Sequence, residues 1–330
     1  MQRRVLLSAL ASLPVTGRAQ AQSRVQDKAP AAWVPDRPIR LLVGFAAGGS
    51  TDTTGRVVAQ ALGIAFNQSV VVENRVGAAG NIASEYVARS APDGYTLVMG
   101  SMGTHATNQA LYRNMSFHVE RDFTAISLVV RSSNLLVVHP DFPARSVREV
   151  IALAKAKPGE VTCGTAGAGS SQHFAMALFE HQAGIRFNQV AYRGGAPAML
   201  DLVGGRVNLV FAPVVESIQQ VRAGQVVALG ISKAQRSPEL PDVPSIGEQL
   251  PGFEFASWLG VFAPAGTPAP IVARLSQTIA TAMKAPEMRL RMTQLGYDAV
   301  GSTAAEFAAF QTAELPRTAE LVRLSGAAVE

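Results

Sequence analysis

Gly44-Phe45-Ala46-Ala47-Gly48-Gly49-Ser50-Thr51-Asp52 puts small residues, two hydroxyls and one carboxylate into nine positions. Small residues let a backbone turn sharply and bring its N–H groups against a ligand. The stretch follows the apolar run Ile39-Arg40-Leu41-Leu42-Val43. After it comes a helical pattern with Val57, Val58, Ala61, Leu62 and Ala65 on one side. It therefore predicts strand, turn and helix, the helix capped by Ser50 or Thr51. Bare N–H groups at the positive end of a helix dipole favour an anion.

The same order recurs downstream. Val161-Thr162-Cys163-Gly164-Thr165-Ala166 predicts a strand, Gly167-Ala168-Gly169-Ser170-Ser171 a turn, and residues 172–183 a helix closed by Gly184. Gly48 to Arg75 spans 27 positions and Gly167 to Arg193 spans 26. In each unit the second strand ends in an arginine followed by a small-residue turn. Two units matching in order and spacing point to one small ligand held from opposite sides.

Around these turns stand the candidate binding residues. Asp52 is either a first-turn acid favoured by the dipole or an acceptor for a ligand amine, hydroxyl or bridging water. Ser50, Thr104, Ser170 and Ser171 are short donors at strand ends, where α/β sheets bind ligands. Ser101 and His105 share the loop of Thr104, and His105 is equally suited to neutral packing. Tyr192 either covers a ligand or closes the sheet. Arg193, beside Gly194, is the better charge partner for a carboxylate, and Arg75 reads as structural. Phe45, Ala47, Gly48, Gly49, Gly167 and Pro197 complete the set by their places in the turns.

Catalytic patterns are missing. No Gly-x-Ser-x-Gly elbow occurs, and residues 44–51 lack the lysine that a phosphate-binding loop requires. His173 and His181 lie eight apart on one helix, about 12 Å of rise, too far to share a metal. His118 and His139 are isolated. Cys163, the only cysteine, permits no internal disulfide and reads as a small buried residue. The rival reading is an exported enzyme or dinucleotide-binding protein using Gly167 to Gly169. Against it, Gln172 replaces the third glycine and the ribose-binding acid is missing. No enzyme activity and no cofactor are expected.

The elements that carry these residues alternate strand and helix, which means βαβ units and a mainly parallel sheet. Residues 123–139 form a long extended passage, read as a crossing between lobes. The predicted architecture is α/β with two lobes, 36–126 plus 233–330 and 127–232, and a ligand cleft between them. The segment at 256–263 is expected to rejoin the first lobe, and the strand at 226–231 is a candidate to do so. Thr267 and Pro268 mark a helix start. Thr303 to Glu306 form a capping box before a last helix that Pro316 should kink or split.

Arg3, Arg4, an apolar stretch over 5–15 and Ala19-Gln20-Ala21 form a secretory signal peptide, with cleavage expected after Ala21. Residues 22–35 then form a polar arm. Removing the signal lowers the formal net charge from +5 to +2. With few aromatics and no dense basic cluster, no nucleic-acid surface is expected.

The chain resembles the tripartite tricarboxylate transporter substrate-binding proteins, also called Bug receptors. The resemblance covers about residues 35–325. It rests on Pro35-Asp36-Arg37-Pro38-Ile39, the first glycine turn, Val72-Glu73-Asn74-Arg75, Ala91-Pro92-Asp93-Gly94-Tyr95-Thr96-Leu97 and Tyr192-Arg193-Gly194-Gly195-Ala196-Pro197-Ala198. Leu240-Pro241-Asp242-Val243-Pro244-Ser245 and Phe262-Ala263-Pro264-Ala265-Gly266-Thr267-Pro268 add to it. Departures are Val76 before Gly77, where relatives show proline, and Gly55, where they show alanine. The resemblance implies a monomeric, type II-like periplasmic binding protein. It binds a small carboxylate, such as an amino acid or dicarboxylate, often through bridging waters at the two turns. It delivers that ligand to membrane permease subunits.

Overall fold

Both glycine units fold as strand, turn and helix, and they occupy equivalent places in one sheet. The computed structural model describes residues 33–192 and 194–327; the signal peptide, residues 22–32 of the arm and Arg193 lie outside the described residues. The chain runs β1 (Ile39–Val43), α1 (Ser50–Phe66), β2 (Val70–Asn74), α2 (Asn81–Ala88), β3 (Thr96–Ser101) and a short α3 (Asn108–Leu111). The long strand β4 (Phe123–Val138) leads through α4 (Val147–Ala156) into the second unit. That unit is β5 (Thr162–Thr165), α5 (Ser171–Ala183), β6 (Asn188–Ala191), α6 (Gly195–Val203), β7 (Leu209–Pro213), α7 (Val214–Arg222) and β8 (Val227–Ile231). Then follow β9 (Ala256–Pro264), α8 (Ala269–Lys284), α9 (Pro286–Gln294), β10 (Tyr297–Ala299) and α10 (Ala304–Ser325).

The strand order is β2-β1-β3-β9-β4-β7-β5-β6. β1 pairs in parallel with β2 and β3, and β5 likewise with β6 and β7. The two parallel triplets are joined by antiparallel pairing through β9 and β4. β4 belongs to both halves. Its residues 123–133 pair with β9, and 134–138 pair with β7. The handover thus falls at Ser133/Asn134. β8, at 135–138, shares the β9 edge of β4, and β10, at 130–132, shares the β7 edge.

The apolar strands are buried because helices cover them on both faces, as parallel triplets require. Val57, Val58 and Leu62 of α1 join Ile39, Leu41 and Val43 of β1 in one core cluster. Gly55 faces β1, where a Cβ would stand 3.2 Å from Val43 Cγ2, so glycine lets helix and strand approach closely. Cys163 is fully buried and free, and its thiol is pushed up by desolvation.

Several expectations are corrected. α10 continues through Pro316. Pro316 forfeits one N–H, the one that would meet the Thr312 carbonyl, and the other turns of the helix carry on past it. β8 stays with the second half, since its register with Leu135–Val138 of β4 is satisfied there. Helix α8 starts one residue late because Thr267 turns back, its hydroxyl donating to the Pro264 carbonyl at 2.7 Å. The Thr303 capping box forms as expected, and β9 pairs with β3 of the first triplet.

Candidate functional site

The first glycine turn is fastened from inside. Gly48 adopts φ +83°, and its N–H donates to Asp52 Oδ2 at 2.9 Å. The same oxygen accepts from Arg56 Nε at 2.9 Å, while Oδ1 accepts from Asn74 Nδ2 at 2.9 Å. Asn74 also donates to the Phe45 carbonyl. Asp52 is 2 % exposed. Burial alone would raise its pKa, but the bonds from Arg56, Gly48 and Asn74 outweigh that and lower it. The carboxylate is therefore spent on holding the turn. Gly49, not Ser50 or Thr51, is the N-cap of α1, with no side-chain cap. The helix starts a residue early because Asp52, bonded back to Gly48, already closes the turn.

Gly48, Gly49 and Ser50 form one end of a cleft of about 640 Å³. Its wall is largely apolar, with Met199, Leu200 and Val203 from α6 and Val215 from α7, interrupted by Thr53, Gln220 and Gln225. Leu200 is 68 % exposed and adds open apolar surface to the cleft. Tyr297 of β10 also lines the cleft and is only 3 % exposed. Its hydroxyl has no hydrogen-bond partner among the described residues. Burial pushes its pKa up to about 12, against a smaller opposite pull from the nearby Ser50 and Thr54 hydroxyls.

One carboxylate faces this space. Glu216, near the start of α7, accepts from Gln172 Nε2 at 3.2 Å. Its Oε2 lies so close to Gly195 that a Cβ there would collide with it. The Glu216 stem is exposed, but desolvation raises the pKa of its carboxyl, partly offset by Gln172. Gly195 is the first residue of α6, so the protein's own carboxylate sits at that helix N-terminus.

The second turn is arranged differently. Ser170 caps α5 by accepting from the His173 N–H at 3.2 Å, and the Gly169 N–H donates to His173 Nδ1. A Cβ on Gly169 would stand 2.9 Å from Leu111, so this turn rests on α3 of the first half. Gly167 at φ +103° passes close to the Tyr192 carbonyl, and Ser171 opens α5. Tyr192 directs its hydroxyl to Asp201 at 2.7 Å, and burial with that bond pushes its pKa up to about 12. Gly194 caps α6, and Pro197 is exposed on the first turn of that helix.

The loop after β3 turns inward. Ser101 and Thr104 bond to each other through backbone and side chain. Thr104 Oγ1 stands 2.8 Å from His105 Nδ1. His105 is fully buried, stacked on Phe262 at 4.1 Å, and desolvation lowers its pKa to about 3. Of the sequence candidates, the cleft lining thus contains Gly48, Gly49 and Ser50. Ala47 is exposed beside them, and the Phe45 ring packs against Gly80. Arg75 lies 3.8 Å over the Tyr86 ring and 3.7 Å from Glu73.

Met199, Leu200, Val215, Glu216 and Tyr297 line the cleft and are not among the sequence candidates. A signal existed for Leu200, because Ala198, Met199 and Leu202 define the buried side of α6 and Leu200 lies off it. Tyr297 had none, since three-residue β10 is set by its pairing with distant β4.

Comparison with known proteins now bears on this geometry. The family model described as "Tripartite tricarboxylate transporter family receptor" matches residues 54–326. The chain is 35% identical over 295 residues to Protein BugT of Bordetella pertussis, covering 89% of this chain and 90% of that protein. It resembles the structure of R. palustris Rpa4515 with adipate at TM-score 0.81 and 36% identity, covering 89% and 99% of the two chains. The structure of MatC (Rpa3494) from Rhodopseudomonas palustris with bound malate follows at TM-score 0.76 and 32% identity, covering 87% and 99%.

Proposed function

Because the chain belongs to the tripartite tricarboxylate transporter receptor family, we propose that it is a periplasmic solute-binding receptor for a small carboxylate. The observation that carries this reading is the uncapped N-terminus of α1 opening into the cleft, with its turn fixed by Asp52. Uncapped N–H groups and a helix dipole suit an anion of one or two charges. Adipate and malate in the related structures support a ligand of this class.

In this proposal residues 36–126 with 233–330 form one lobe and 127–232 the other. They close by hinge motion on the ligand. The change of partner along β4 at Ser133/Asn134 supports a bend there. The receptor is exported by its signal peptide, acts as a monomer without turnover or cofactor, and hands its ligand to membrane permease subunits.

A thermal-shift panel of amino acids, di- and tricarboxylates, monocarboxylates, sugars and nicotinamide nucleotides tests the reading. A ligand bound only by the folded protein stabilises it by about 2.7 kcal/mol at a hundredfold excess over its Kd. A carboxylate should raise the Tm and be recovered unchanged. Stabilisation by a nucleotide alone, or chemical conversion of the acid, would contradict the receptor.

A further inference from the structure

We propose that Tyr297 is a ligand-binding residue and that the cleft selects a carboxylate with one charged end and an apolar body. This rests on the receptor reading above and narrows it. The anionic end belongs at α1, where Gly49 caps the helix without a side-chain bond. Beside it stands the Tyr297 hydroxyl, on a residue 3 % exposed and with no partner among the described residues. The Thr54 hydroxyl, on a residue 1 % exposed, also lacks a well-placed partner, and it and Ser50 act only weakly on Tyr297. A buried phenol without an acceptor costs free energy that a bound carboxylate oxygen would recover.

The rest of the cleft is built for hydrocarbon. Met199, Leu200, Val203 and Val215 face it, and Leu200 gains burial only when something fills the space. A second carboxylate would meet no Lys or Arg among the described residues of this lining, only the neutral amides of Gln220 and Gln225. The helix start that would receive it, at Gly195, is already filled by Glu216, which Gln172 holds in place. Pro197 further removes one N–H from that first turn. A ligand with two charged ends would place its second charge against Glu216.

Isothermal titration with hexanoate, phenylacetate, adipate, malate and citrate decides the matter. Hexanoate or phenylacetate should bind tightest in the natural protein. Tyr297→Phe should weaken that binding about tenfold while leaving the ligand-free Tm close to unchanged, because only weak contacts with the Ser50 and Thr54 hydroxyls are lost. Glu216→Gln should strengthen adipate binding about tenfold. Tightest binding by adipate, malate or citrate would overturn the inference and leave the receptor intact; so would full affinity in Tyr297→Phe. If none of the five acids binds and a sugar or nucleotide does, the receptor reading falls and takes the inference with it. Should Tyr297→Phe fail to fold, the ranking of the five acids on the natural protein still decides.

Discussion

The Gly48 N–H donates to Asp52 Oδ2 at 2.9 Å, across the start of the helix to which Asp52 itself belongs. Its place in the chain allows two roles, first-turn acid or ligand acceptor, and the bonds of its carboxylate go to the turn, to Arg56 and to Asn74. Asn74 at the end of β2 completes the clamp, bonding both Asp52 and the Phe45 carbonyl.

Asp52→Ala should therefore lower stability and affinity together. It removes a buried carboxylate with three donors, a loss of about 1–3 kcal/mol in stability by urea denaturation. Affinity for the carboxylate that best stabilises the natural protein should fall because the turn loses its shape. Unchanged affinity in a destabilised variant would show that the clamp is not part of binding.

His105 predicts an acid-sensitive fold. Its pKa is about 3 in the folded protein and about 6.5 when unfolded. Between these values the unfolded chain binds the extra proton, so its contribution is intact above the unfolded value. It is lost as pH falls, at roughly 1.4 kcal/mol per pH unit over that window. His105→Gln should flatten that part of the pH–Tm profile. Identical profiles for the two proteins would show that His105 is not buried neutral.

Gly80 sits at φ +89° and caps α2, and a Cβ there would stand 2.5 Å from Thr104 Cγ2. Gly80→Ala should cost about 2–4 kcal/mol through strain and overpacking together. Chemical denaturation measures it, and a loss under 1 kcal/mol would argue against this close nesting of loops.

Tyr192→Phe should leave ligand affinity unchanged, since the hydroxyl is committed to Asp201. Stability should fall by about 1 kcal/mol, with Arg206 still pairing Asp201 at 2.7 Å. Loss of affinity without loss of stability would return Tyr192 to the ligand.

The strand–turn–helix units were legible because their causes are local: apolar runs for β1 and β5, glycines for the turns, and Ser170 as the cap of α5. The turn at Gly48 to Ser50 was legible for the same reason. What stayed hidden depends on contacts between distant segments. β10 exists only through its register with Val130–Ser132 of β4, and it carries Tyr297 to the cleft. Ser101, Thr104 and His105 look like a binding loop in sequence. Ser101 ends β3, and a π-helical turn at Gly103–Thr107 buries Thr104 and His105, with the His105 ring stacked on Phe262. Apolar residues on α6 read as core until the helix is placed, after which Leu200 faces the cleft.

The most direct test of the central claim is mass spectrometry of the small molecule released on denaturing protein purified from its natural host. One carboxylate is expected at close to one equivalent per chain, chemically unaltered after incubation with the protein. Recovery of a nucleotide or a sugar in its place, or conversion of the acid to a product, would contradict it.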